Sequence, residues 1–409
     1  MTSQSDYRVR AVHCDHMADE ETIYQALARA TDPLDRAWAK LKAAKRIGIK
    51  FNQEWPVETL LVHKGQFQEL VAEKVARAVL RLLRERTTGE LICSSISVFR
   101  RNRTHEPDET NHLGPLLREF GVRFVEGDLP PHTIVQVPEG GRMFRQYILP
   151  TESVDVDAFI SVAKMKNHAF MGVTACLKNL FGLMPETPYG RARQYWHHLV
   201  RMPYMLADLG RVYHPALNIV DGLVCQAERE WGGKPRIGNC MVAGDHVIAT
   251  DACTAYLMGH DPTTDWPNEP FLRDRNSLLA AAEGGFGTVN LSEIDFQSEV
   301  TSPVAEFFTE RVDPSETTTS WRRTTCEQAL YYRDHREQFA QYAGEYILLY
   351  KNRVIWHNKD SNFHGSRRDL AAEDPNSAIY MKYVDPTEAE GEHFEIYEQT
   401  LAQMDAMGM

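Results

Sequence analysis

The chain has 409 residues, enough for two or three domains and a sizeable core. Its composition, 43% hydrophobic and 25% charged, is that of an ordinary soluble globular protein. A formal net charge of -12 with no long basic run argues against nucleic acid or an anionic membrane as partner, and no apolar run approaches the ~20 residues that a membrane helix needs.

Residues 1–45 read as a polar, helical lead-in. The stretch MTSQSDYRVRAVHCDHMADEE has no apolar signal core and no twin-arginine pair, so the expected location is cytoplasmic. Residues 19–45 carry helical spacing through Ile23, Leu27, Leu34, Trp38 and Leu41, with Pro33 interrupting it. Residues 46–52 read as a strand leading into a polar loop, 66–86 as an amphipathic helix, 90–98 as a strand, 113–120 as a short helix and 122–125 as a strand. This alternation predicts an α/β fold with a mostly parallel sheet and crossover helices. No glycine-rich phosphate fingerprint follows the first strand and no Gly-Lys-Ser/Thr occurs, which disfavours a conventional nucleotide site.

Residues 130–150 look like β-rich connecting structure. The run 156–163 is apolar and β-branched enough for a strand buried on both faces. At its end stand Lys164, Lys166 and His168, and ten residues after His168 come Lys178 and Asn179. Open α/β sheets bind ligands at the carboxyl ends of their strands, so this cluster predicts a site for a small anionic ligand. Gly172 and Thr174 allow a tight return, with Thr174 expected to cap a helix that aims its amide groups at the same anion. The competing reading of each lysine is a solvated loop side chain, and of His168 a satisfied core histidine.

Residues 190–211 read as a helix, 217–220 as a strand ending at Asp221-Gly222, 241–243 as another and 247–258 as a helix closed by Gly259. The glycine-bearing stretch 224–240 reads as a long loop, expected to act as a lid with Gly232 and Gly233 as hinges and Glu228 facing inward, against a plain solvated insertion. The α/β core is thus expected over 46–300, a Thr- and Ser-rich linker over 301–330 and a small α+β accessory module over 331–409. The module predicts a hairpin, 346–350 with 354–357, a helix at 366–372 and a strand at 377–383.

Several ordered motifs carry a family resemblance. They are Lys50 and Asn52 after the first strand, Asp157-Ala-Phe-Ile160 before Lys164-Met-Lys166-Asn-His168, Gly172-Val-Thr174, Lys178-Asn179-Leu-Phe-Gly182, Arg191 or Arg193 with His197, Asp221-Gly222, Asp251-Ala252 and Gly284-Gly-Phe-Gly287. On these, residues 46–290 resemble the family catalogued as domain of unknown function 362. The resemblance implies no single activity. Many relatives carry a ferredoxin-like cysteine cluster or an export signal, and this sequence shows neither. Its seven cysteines (14, 93, 176, 225, 240, 253 and 326) form no C-x-x-C pair, so free thiols and no iron–sulfur cluster are expected.

Residue chemistry then yields three function classes. The first is an enzyme of isomerase, lyase or oxidoreductase type acting on a small carboxylate- or phosphate-bearing substrate by acid–base chemistry. Its catalytic groups would be Lys166, His168 and His197. Its binding groups would be Lys164, Lys178, Asn179, Lys50, Asn52, Arg191 and Glu228. His168, His197, Asp221 and Asp251 are of the types that a divalent metal accepts, in no established ligand spacing, and the two aspartates serve equally as helix or backbone caps. The second class is a cofactor-binding or maturation protein that holds an anion without turnover. The third is an assembly partner, as a homo-oligomer or otherwise, working through the C-terminal module.

Overall fold

The structure is a computed structural model and describes residues 7–54, 59–96, 111–186, 193–359 and 380–409. Its largest sheet has nine strands. From one edge, eight of them lie in the order Ile294–Ser298, Tyr7–His13, Lys234–Gly244, Leu217–Ala227, Ala158–His168, Arg46–Phe51, Glu90–Ser95 and Arg123–Glu126. The five from Leu217–Ala227 onward are mutually parallel. Lys234–Gly244 runs against both its neighbours, and the ninth strand, Gly172–Thr174, folds back on Ala158–His168. The fold is therefore α/β with a mostly parallel central sheet. A three-stranded antiparallel sheet of Tyr346–Tyr350, Arg353–Asn358 and Tyr380–Tyr383 follows at the C-terminal end.

The helices cover the sheet for the reason their spacing suggests. Glu73–Arg86 turns Val75, Val79, Leu80, Leu82 and Leu83 inward while Arg77, Arg81 and Arg84 hold acidic or carbonyl partners outside. Each fully buried Val or Leu side chain contributes about 1.5–3 kcal/mol. The helix starts later than its periodicity predicts, because Gln66–Phe67 pairs with Val62–His63 in a tight hairpin. Lys64 and Gly65 make that turn at φ 49° and 76°, a backbone that no helix continues. The helical segment 19–45 divides at Pro33 as expected, into Glu20–Thr31 and Asp35–Ala43.

Four expectations change. Residues 7–13 are a strand, not part of a helical lead-in: Val9 and Ala11 are buried, and the alternating Arg8 and Arg10 that gave the stretch its polar look pair with Asp35 and Asp295 at 3.0 and 2.7 Å. The stretch 224–240 is not a long loop. Leu217–Ala227 and Lys234–Gly244 continue through it as a hairpin whose tip is residues 228–233. Its Gly238 serves close packing, since a Cβ there would meet the Gly222 carbonyl oxygen at 2.4 Å. The residues expected as a linker, 301–330, contain the start of the helix Ser315–Asp334, whose buried face includes Thr318, Thr325 and Tyr332. The helix expected within 190–211 is broken at Val200, φ 70°, into Arg193–Trp196 and Arg201–Tyr213.

The C-terminal sheet does not stand apart. One hydrophobic cluster runs from Val9 in the large sheet through Tyr195 and Met205 to Tyr346, Leu348 and Tyr397. At the same junction Arg201 and Glu392, both fully buried, pair at 2.8 Å, and Lys382 reaches Glu392 at 3.0 Å. The hairpin 346–358 turns at Lys351 and Asn352, φ 46° and 61°, as its short loop predicts. The expected helix 366–372 lies outside the described residues.

Candidate functional site

The strand order places one crevice. From Arg46–Phe51 the chain steps outward to Glu90–Ser95 and Arg123–Glu126, then returns to Ala158–His168 on the other side of its starting strand. Crossovers leave in opposite directions on either side of that seam, so the carboxyl ends of the two strands open rather than being covered. A cavity of about 250 Å³ lies there. Lys50, Asn52 and Glu54 enter it from the first strand and its exit, and Lys166 and His168 from the strand Ala158–His168. Thr174, Lys178, Asn179 and Phe181 come from the return after it, and Glu230 and Trp231 from the tip of the 217–244 hairpin.

The strand Ala158–His168 is longer than its apolar run predicts, and all eleven residues are buried. Lys164, Lys166 and His168 therefore stand on one face of a strand rather than in a loop after it. The cluster divides even so. Lys164 Nζ lies 2.8 Å from Asp221 Oδ2 with both side chains fully buried, and the same carboxylate accepts the N–H groups of Ala72 and Leu223. Lys164 is thus a structural cation, not a ligand contact, and Asp221 is consumed by it. Lys166 does reach the cavity. Its Nζ donates to the carbonyls of Glu69 at 2.8 Å and Glu230 at 3.2 Å and lies over the Trp231 ring at 4.4 Å. Burial brings its pKa down from 10.5 to about 8, helped by Lys164 and opposed by Glu230 and Glu69.

His168 is buried, with Nδ1 accepting the Phe170 N–H at 3.1 Å. The same nitrogen lies 3.3 Å from Glu230 Oε2. A backbone N–H can only donate, so in the neutral ring the proton sits on Nε2, and the Glu230 contact becomes a hydrogen bond only on protonation. Burial opposes that protonation, as do Lys178, Lys166 and Arg273, and the ring's pKa falls well below 6.5. Lys50 Nζ donates to Ser95 Oγ at 3.0 Å and to the Phe51 carbonyl. Lys178 Nζ lies over Phe181 at 4.6 Å.

The short helix Cys176–Asn179 does not offer its amide end to a ligand. Asp251 already occupies it, accepting Cys176 N–H at 2.9 Å and Leu177 N–H at 2.7 Å, and Thr174 makes no capping bond. Burial drives the Asp251 carboxyl up to about 7 despite those two bonds. Asn179 ties the seam together instead, its Nδ2 donating to the Lys50 carbonyl, Ser161 Oγ and the Val162 carbonyl at 2.9, 3.1 and 3.2 Å. The expected metal set is not assembled: among the described residues no group of three or more His, Cys, Asp and Glu side chains could hold a metal ion.

Glu228 is not the inward-facing acid of the tip. It pairs with Lys234 at 2.7 Å, and Glu230 faces the cavity in its place. His197 stands behind the wall, its ring 5.6 Å from both Phe170 and Phe181. Arg191 lies outside the described residues. Trp231, Glu54 and Ser95 were not foreseen as site residues. The tryptophan before Gly232-Gly233 was the one visible signal, since a large aromatic at an exposed turn calls for a partner.

The fold is an α/β domain with a cavity at the topological switch of a mostly parallel sheet. Residues 59–256 match the family model described as domain of unknown function DUF362. The match includes Lys166, His168, Lys178 and Asn179, while Lys50, Asn52 and Gly284–Gly287 lie outside it. A thylakoid-associated protein of Synechocystis sp. is 29% identical over 168 residues, 38% of this chain and 48% of that protein. The chain thus spans about half the length of the curated relative it matches. Among solved structures, the lactate racemase apoprotein from Thermoanaerobacterium thermosaccharolyticum is similar at 15% identity and a TM-score of 0.30, over 58% of this chain and 54% of that one. That likeness is too distant to inform the site. No helix among the described residues is long and apolar enough to cross a membrane.

Proposed function

We propose that the protein is an acid–base enzyme that binds a small carboxylate- or phosphate-bearing substrate in the switch-point cavity. The observation that carries this reading is the set of three lysines lining one cavity, Lys50, Lys166 and Lys178, beside a histidine kept neutral. Lys50 and Lys178 supply charge to hold the anionic group, each contact worth about 1.5–3 kcal/mol in a partly desolvated site. Lys166, which loses its proton near pH 8, is the base that removes a proton from the carbon beside that group. His168 donates its Nε2–H to the oxygen on which charge develops, a role that suits a neutral imidazole better than proton removal does. This chemistry fits an isomerase or lyase.

Calorimetric titration with a panel of small carboxylates and phosphates tests the reading. Lys178→Ala should weaken binding about tenfold or more and leave the melting temperature nearly unchanged. Affinity should fall as pH rises through about 8, where Lys166 loses its charge, while turnover per bound substrate rises over the same interval. Equal affinity in wild type and Lys178→Ala, with no pH dependence near 8, would overturn it.

A further inference from the structure

Two acceptors face each other in the cavity wall. His168 Nδ1 lies 3.3 Å from Glu230 Oε2, yet each already accepts a backbone N–H, Nδ1 from Phe170 and Oε2 from Ala169, both at 3.1 Å. The two donors are successive peptide groups, so they hold the ring and the carboxylate together with lone pairs opposed. Only a proton on Nδ1 turns that contact into a bond, exchanging a neutral backbone bond for a stronger, charge-assisted one. The charges around the ring decide whether the proton arrives. Lys166 on the same strand, Lys178 on the helix Cys176–Asn179 and Arg273, whose guanidinium lies 3.9 Å from the centre of the Phe170 ring, all oppose it, as burial does. Asp313 offsets Arg273 at 3.0 Å, whereas Lys166 bonds only carbonyls. Lys50 and Glu54 line the cavity from the first strand and its exit. Glu230, on the hairpin tip, favours the proton, and its side chain is 24% exposed, which gives that proton a route from water.

We infer that an anion bound in the cavity brings a proton with it: His168 becomes an imidazolium whose Nδ1–H is donated to Glu230 Oε2, leaving Nε2–H for the ligand. This rests on the proposed anion site and gives Glu230 a part in it. The ligand's negative charge cancels the field of Lys166 and Lys178 that keeps the proton away. The acid so formed can hand its Nε2 proton whole to an oxygen of the substrate. The ring ends neutral, with its remaining hydrogen on Nδ1 and still bonded to Glu230. Glu230 thus acts through the ring, as a positioning residue that selects the tautomer.

Calorimetric titration of the full chain with sulfate and with glycolate, in buffers of different ionisation enthalpy near pH 6, tests it. Both probes are ionised there and Lys166, with its pKa of about 8, is already charged, so proton uptake reports on the histidine. Wild type should take up about half to one proton per anion, and affinity should rise about three- to tenfold per pH unit on acidification around pH 6. Glu230→Gln keeps an acceptor for the Ala169 N–H and removes the charge that holds the proton. It should bind both anions with uptake near zero and a flat pH profile. Nitrogen NMR of the wild-type imidazole needs no variant: on saturation with sulfate, Nδ1 should move to its protonated position. Binding without proton uptake, uptake that persists in Glu230→Gln, or an Nδ1 that stays unprotonated overturns the inference and leaves the anion site standing. If neither anion binds, the anion site itself is wrong, and this inference with it.

Discussion

Two lysines two residues apart on one strand have opposite fates, and charge accounting shows why. Lys164 faces a carboxylate and is paired; Lys166 faces carbonyls and an indole and gives up part of its affinity for a proton. Lys164→Met would leave Asp221 buried and ionised without its partner, a loss of about 3–5 kcal/mol by thermal or urea unfolding. Asp251 makes a further prediction. Its carboxyl titrates near 7 when folded against 3.8 ordinarily, so the folded state binds the extra proton. That contribution is full below about 3.8 and is lost as pH rises through 7. Asp251→Asn should flatten the fall in stability between pH 4 and 7, measured by denaturant titration; an unchanged slope would show that the carboxyl titrates normally. Of the residues that line the cavity, Lys50, Asn52, Lys166, His168, Lys178 and Asn179 were legible in the sequence as candidates. Which lysine was already taken was not, because Asp221 lies 57 positions away and only the sheet register opposes the two.

The element that decides the character of the cavity is the hairpin Leu217–Gly244. Its tip sets Trp231 over Lys166, and Glu230 bonds both Lys166 and the Ala169 N–H. Trp231→Ala should let water reach Lys166. Removing the indole forfeits a cation–π contact of about 0.5–2 kcal/mol, but desolvation is the largest influence on this amine, so its pKa should climb from about 8 back toward 10.5. The pH at which anion affinity falls should move up with it. If that pH stays put, the indole is not what keeps the amine dry. The parallel strands could be read from the sequence because burial on both faces leaves continuous apolar runs. The hairpin could not, because glycines that serve close strand packing look the same as glycines that serve a loop.

At the scale of the whole molecule, the C-terminal sheet is bound to the core by buried charge as well as by apolar surface. Burial pushes the Glu392 carboxyl up, yet Arg201 and Lys382 hold it well below its usual 4.5. Its contribution is therefore full above pH 4.5 and fades as pH falls below that value. Glu392→Gln should cost about 3–5 kcal/mol, and calorimetry should show one cooperative transition for both sheets rather than two. Two separate transitions would mean that the shared cluster does not couple them. The accessory-module reading came from the hairpin signal at 346–358, which is local. The partners that fix the module, Arg201 and Tyr195, lie far upstream and carry no local trace of the contact.

That junction has a practical corollary for dissecting the chain. Tyr195 meets Tyr346 at 5.6 Å between ring centroids and Arg201 sits over Tyr380 at 5.3 Å, so cutting the polypeptide before the helix Ser315–Asp334 would strip an aromatic wall from one fragment and strand a guanidinium on the other. Neither piece should survive a protease or stay in solution by itself, and mixing the two should restore resistance to digestion only if they refold together. The cavity at the switch point and the sheet at the far end of the chain should therefore fold and unfold together.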